Sequence, residues 1–153
     1  MRILAVFIVA SLGTAAQDHP KPSDLRKKLN ASYDAAAAWV VSQQDGSGAW
    51  KQGPKGMEQP SVAFTGLIVA ALAKAPNDLR PKYQGAIDKG CAFIVSKRNE
   101  DGSFGEGPKG AFLKTYATAV ALMGLSAADR EKYADPIRGA QAYLKHNQLK
   151  EGP

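Results

Sequence analysis

Four blocks of residues occur twice in this chain, in the same order and at nearly the same spacing. That recurrence limits the fold more than any other feature. Trp39-Val40-Val41-Ser42 returns 54 positions later as Phe93-Ile94-Val95-Ser96. Asp45-Gly46-Ser47 returns after 56 as Asp101-Gly102-Ser103, and Gly53-Pro54-Lys55-Gly56 after 54 as Gly107-Pro108-Lys109-Gly110. Residues 65–72 match 118–125 at an offset of 53. A third copy opens where 87–94 maps onto 137–144 at an offset of 50, with Phe93 answered by Tyr143. A period of this length is that of stacked supersecondary units, each burying its apolar side against its neighbours.

Each unit reads as two helices. In residues 25–44, Leu25, Leu29, Tyr33, Ala36 and Val40 recur every three or four residues, which predicts one buried stripe. Ser23 or Asp24 is the expected N-cap, and Asp45-Gly46 the expected stop, with the glycine left-handed. A Gly- and Pro-rich loop leads to a second helix over about 61–75. Its Val62, Phe64, Leu67, Ile68, Val69 and Leu72 are apolar nearly all round and predict cover on both sides. The second unit repeats this, with Asn77 or Asp78 as cap, a helix over about 80–98 and an apolar helix over about 113–125. Ser126 to Asp129 reads as a capping box, and a last helix runs over about 136–146. No stretch alternates like a strand. The expectation is an all-α chain of tandem hairpins in an open arc, with two full repeats (about 24–76 and 77–128) and the first helix of a third (129–153).

The first residues stand apart from this pattern. Met1-Arg2, an apolar run over 3–12 and the small residues Gly13-Thr14-Ala15-Ala16 have the order of a secretory signal peptide. The run is shorter than the roughly 20 residues that span a bilayer. The expectation is cleavage after Ala16, a tether over 17–23, no transmembrane segment, and export to the periplasm or medium. Loss of Arg2 takes the formal charge from +6 to +5. The remaining basic residues are dispersed, with Arg26-Lys27-Lys28 the one tight cluster and no interleaved aromatics, which argues against a nucleic-acid partner. The single cysteine, Cys91, cannot form an internal disulfide.

The start of each unit resembles the glutamine–tryptophan repeat of squalene and oxidosqualene cyclases, shared more loosely by protein prenyltransferase β-subunits. The first unit supplies Ala36, Trp39, Val40-Val41, Gln43-Gln44, Asp45-Gly46-Ser47 and Trp50. The second supplies Lys89-Gly90, Phe93, Ile94-Val95, Lys97-Arg98, Asp101-Gly102-Ser103 and Phe104. The third supplies Arg138-Gly139, Tyr143-Leu144 and Gln148. The resemblance covers residues 25–153 and implies a partial α/α toroid, with helices ending in the Asp-Gly turn outside and the apolar ones inside. It also implies structural roles for Trp39, Gln43, Gln44, Asp45, Gly46, Trp50, Phe93, Asp101, Gly102, Phe104 and Tyr143. Gln and the loop aromatic would tie an outer helix to the next inner one.

No active site follows from it. Cyclases of this family protonate their substrate from D-x-D-D, which this chain lacks; its one adjacent acidic pair is Glu100-Asp101. The zinc set of prenyltransferases needs an Asp two residues before the Cys, where Lys89 precedes Cys91; His19 and His146 are isolated. The Cys-Gly-Glu-Gln signature of complement-like thioester domains is absent too. Gly105 to Gly110 fits G-x-G-x-x-G but follows a helix and contains Pro108, so it is a loop of the repeat rather than a dinucleotide site. No cofactor is expected. Lys55 and Lys109, each in a Gly-Pro-Lys-Gly loop, are the candidate rim for an anionic polymer or lipid head group. The functional expectation is an exported prenyltransferase/terpene-cyclase-like binding or scaffold module, with an isoprenoid as the family's ligand class. The alternative is a piece of a cyclase or prenyltransferase-like enzyme whose catalytic motif lies in further repeats. Cut apolar edges of an open arc would also favour self-association.

Overall fold

A computed structural model describes residues 21–105 and 113–148. The signal-peptide reading of 1–16 and the Gly107–Gly110 loop with Lys109 lie outside the described residues. Within them the chain forms five helices: α1 (Pro22–Ser42), α2 (Val62–Ala73), α3 (Arg80–Ser96), α4 (Lys114–Ala128) and α5 (Ala134–His146). The expected all-helical class is therefore seen, with one addition. Lys51–Gln52 (β1) pairs antiparallel with Gln59–Pro60 (β2), strands of two residues each, too short for alternation to mark them.

The helix starts depart from the expected caps. Pro22 sits in the first turn of α1, where its missing N–H costs nothing and its fixed φ suits the helix. The helix therefore begins before Ser23 and Asp24, which lie inside it, and Lys21 is the uncapped N-cap residue. Ahead of α3, the Pro76 carbonyl accepts from Leu79 and Arg80 N–H at 2.8 and 2.9 Å, so a backbone turn replaces the Asn77 or Asp78 cap. Ser126 lies within α4, and Asp129 instead accepts from the N–H groups of Glu131 and Lys132 in the turn before α5. α2 begins with a side-chain cap that was not among those expected, Ser61 Oγ accepting from Phe64 N–H.

The helices stack in two kinds. α2 and α4 lie against each other, and their backbones meet at two glycines: a Cβ on Gly66 would stand 2.7 Å from the Val120 carbonyl oxygen, and one on Gly124 2.8 Å from that of Gly66. α3 packs on both of them, and α5 packs on α4. The core runs between these layers through Val69, Leu72, Ile87, Cys91, Ile94, Phe104, Ala121 and Leu125.

Along the other layer α1, α3 and α5 are joined by a recurring seam. Lys82 Nζ donates to both carboxylate oxygens of Asp34 at 2.8 Å, and the Tyr83 hydroxyl donates to Asp34 as well. One unit later Lys132 Nζ stands 3.5 Å from Asp88, with Tyr133 beside it. The position that follows Asp34 and Asp88 in this series holds Arg138, 50 residues after Asp88, and it faces Asp135 at 3.5 Å.

Two burial expectations fail, for one reason. In α1, Leu25, Leu29 and Ala36 are exposed, Tyr33 and Val40 are half-buried against the core and Ala37 is the buried residue, so the predicted stripe is covered only in part. α2 is covered by α3 and α4 on one side only, and Phe64 and Leu67 on its other side are exposed. Among the described residues no element precedes α1 and α2 in the stack to cover those faces.

Candidate functional site

The turn that follows α1 is tied together by Asp45. Asp45 Oδ1 accepts from Ser47 N–H at 2.9 Å, Ser47 Oγ at 2.6 Å and Ala49 N–H at 3.2 Å. Those bonds favour the ionised carboxylate and hold its pKa below the usual range. Asp101 accepts the same pair from Ser103, and Lys114 Nζ reaches its other oxygen at 2.7 Å; with these bonds its pKa falls to about 2.

The two turns are nevertheless not aligned as the sequence blocks suggest. Asp45 N–H donates to the Ala49 carbonyl, whereas in the second unit Asn99 N–H donates to that of Ser103. In these two turns the left-handed glycines are Gly48 (φ +89) and Gly102 (φ +82), and Gly46 is not among them. Hence Gly48, not Gly46, is the equivalent of Gly102, at an offset of 54. The Asp-x-Ser bond is a local motif that occurs two positions later in the second turn. Both left-handed glycines press on the next outer helix: a Cβ on Gly48 would lie 2.4 Å from the Lys89 carbonyl oxygen, and one on Gly102 2.6 Å from that of Gly139.

The loop aromatics follow the same offset. Trp50 N–H donates to Thr65 Oγ1 at 3.0 Å and Phe104 N–H to Thr118 Oγ1 at 2.9 Å, all four residues being buried. Trp50 Nε1 also donates to the Val40 carbonyl at 2.7 Å, so this one residue ties the end of α1 through its side chain and α2 through its backbone N–H. Gln44 Nε2 donates to the carbonyls of Gly48 and Ala86, both at 2.9 Å, linking α1 to α3. Gln43 takes no part in that link; it is exposed, and its side chain donates to Ser42 Oγ.

The three aromatics at equivalent positions of the repeat differ in burial. Phe93 is 5% exposed, Tyr143 is half-buried with Lys114 Nζ 5.6 Å from its ring centre, and Trp39 is 66% exposed. Trp39 is open because it stands on the uncovered side of α1, where Phe93 has α2 beside α3.

Trp39 thereby becomes one lip of an open groove between α1 and α2. Its wider part, about 370 Å³, has Trp39, Val40, Phe64 and Ile68 as walls and Trp50 at its base, with Gln43, Lys51 and Glu58 at the mouth. It continues past Val40 and Ile68 into a smaller part of about 170 Å³ bounded by Tyr33, Ala36, Ala37 and Ala71. The Tyr33 hydroxyl is already engaged, donating to the Ala71 carbonyl at 2.8 Å. Lys51 stands 3.9 Å from Asp45. Glu58 accepts from Gly56 N–H at 2.8 Å, and backbone hydrogen bonds hold its pKa below the usual range. Lys55 is exposed in the same β1–β2 loop, and Lys109 lies outside the described residues.

Trp39 is expected in a structural role only, and the groove it borders is not among the expected sites. The available signal was that Trp39 belongs to the first unit, which has no described predecessor. Cys91 is wholly buried, and burial pushes its thiol up to about 11, well away from a nucleophile or ligand state at neutral pH. No helix among the described residues is long and apolar enough to cross a membrane. Compared with protein-family models, curated proteins and solved structures, the chain gives no match.

Proposed function

We propose that the chain is an exported hairpin-repeat module of the prenyltransferase and terpene-cyclase kind, part of a toroid-type arc. Its work is binding through the α1/α2 groove rather than catalysis. One observation carries this reading. Val40, Phe64, Ile68 and Trp39 line an open groove, while their counterparts one unit later, Ile94, Ala117, Ala121 and Phe93, are all buried beneath α2. An apolar surface that the fold covers in one copy and leaves open in the other is a site that gains free energy when filled.

An apolar reporter dye tests it on the full chain. Saturable binding lost in Phe64→Glu, with helicity and melting temperature kept, supports the groove. Unchanged dye binding in that variant sinks it. Export with cleavage after Ala16 is the companion proposal, checked by N-terminal sequencing of secreted material; a retained Met1 on that material refutes it.

A second reading is favoured by α4. Tyr116 and Met123 on α4, and Leu113 just before it, are exposed. A further inner helix would cover them, as in a longer enzyme whose acidic motif lies in additional repeats. A D-x-D-D motif in coding sequence continuous with residue 153 would establish that reading.

A further inference from the structure

We propose that the α1/α2 groove is the seat of an apolar α-helix, rich in alanine and glycine, supplied by another polypeptide. This rests on the binding-module reading and names the class of ligand. The fold itself holds the template. One unit later the corresponding groove, between α3 and α4, is filled by α2. There Gly66 lies on the Val120 backbone, and Val69 lies so close to Gly90 that a Cβ on that glycine would be 2.6 Å from the valine methyl.

Residue equivalence carries this seat back to the first unit, where Ala36 stands for Gly90, Leu67 for Val120, Ile68 for Ala121 and Ala71 for Gly124. Each of these four is larger than its counterpart, while Val40 and Ala37 deeper in the groove are smaller than Ile94 and Cys91. A helix that fits must therefore present alanine or glycine at the facing turns, because bulky residues on both sides cannot interdigitate at close approach. The free face of α4 in a second copy, with Tyr116 and Met123, is bulky in this sense and fits poorly.

Polarity points the same way. The narrow part of the groove has only the Tyr33 hydroxyl as a side-chain polar group, and that group is already bonded to Ala71. An extended peptide or a sugar would bring donors and acceptors with no partners there, at a desolvation cost. A helix pairs its own backbone groups and needs none. From Tyr33 to Gln43 the groove follows ten residues of α1, about 15 Å at 1.5 Å per residue, room for nearly three turns of an occupant.

The probe is a synthetic peptide with the sequence of residues 61–76, titrated into the full chain while tryptophan emission is followed. Trp50 is buried throughout, so the change reports Trp39. The expected result is a saturable blue shift, weakened at least about tenfold by Leu67→Glu and also by the uncharged Ala36→Leu, with helicity unchanged in both. A peptide with leucine in place of its Gly66 and Ala70 equivalents should not bind. Three results overturn the proposal. Emission of a buried Trp39 in the free full chain would show the groove filled by the chain's own residues, or by a second copy if sedimentation gives a dimer. A response to a 1–16 peptide but none to the 61–76 peptide would name a different occupant. No response to the 61–76 peptide while dye binding persists would leave the binding module standing and remove its helical ligand.

Discussion

Replacing Gly48 by alanine, with Gly46→Ala as its control two residues away, tests how the two units are superposed. Gly48 has φ +89, a conformation that costs an L-residue about 1–2 kcal/mol. Its new Cβ would also stand 2.4 Å from the Lys89 carbonyl oxygen, about 1 Å inside ordinary contact, and the obstacle is backbone rather than a flexible side chain. α1 and α3 would have to separate locally, an overpacking cost of about 1–3 kcal/mol. The sum is roughly 2–5 kcal/mol, a large share of a typical 5–15 kcal/mol stability. Gly46 meets nothing within 4 Å and lacks a left-handed φ, so its replacement should stay within about ±0.5 kcal/mol. Urea unfolding of both variants reads the difference. With an m-value near 2 kcal/mol/M, Gly48→Ala should lower the midpoint by about 1 M or more, and its melting temperature by about 4–20 °C. Equal midpoints, or a larger loss at Gly46, would refute the equivalence of Gly48 with Gly102 and restore the superposition drawn from the two Asp-Gly-Ser blocks.

Thr65→Val keeps the side-chain shape but strands the buried Trp50 N–H, and should cost about 1–3 kcal/mol in a urea titration; a loss below a few tenths contradicts that bond's role. Asp101 has a folded pKa of about 2, below that of the unfolded chain, so its stabilising share is complete above about pH 4 and disappears as pH falls through 2. Because the Asp101–Lys114 pair is exposed and screened, the effect is modest. Asp101→Asn should flatten the acid limb of the stability curve, and an unaltered limb would remove Asp101 from it. Cys91 should resist a thiol reagent at pH 8 in the folded chain and react at once in denaturant; rapid labelling without denaturant would show that the α3 core opens.

The hairpin plan and most residue equivalences were legible because apolar and aromatic residues recur at 53 or 54 positions wherever the same neighbours recur. The Asp-Gly-Ser blocks misled, since an Asp that bonds the Ser two residues on is satisfied locally and can slide within a turn without disturbing the stack. What fixes the turn is the close approach of Gly48 and Gly102 to the next helix, a tertiary constraint that no tripeptide records. The exposure of Trp39 was hidden for a related reason: periodicity shows which side of α1 is apolar, not whether anything lies against it. The Asp34–Lys82–Tyr83 seam was present as Lys-Tyr at 82–83 and 132–133 and as Asp at 34 and 88. Among the described helices only α2 has a side-chain N-cap, so capping rules had little to read elsewhere.

The substitution of Arg138 into the Asp34, Asp88 series has a consequence for anyone who would lengthen the stack. The seam works as a coupling of fixed polarity, an acidic socket on one outer helix taking a Lys-Tyr plug from the next. At α5 the socket has changed sign, and a duplicated hairpin spliced after it would bring the lysine of its plug against the Arg138 guanidinium. Grafting a further unit therefore calls for Arg138→Asp at the splice, and the same arginine offers a way to give two fused modules a chosen order, by reversing the charge of one plug to match it.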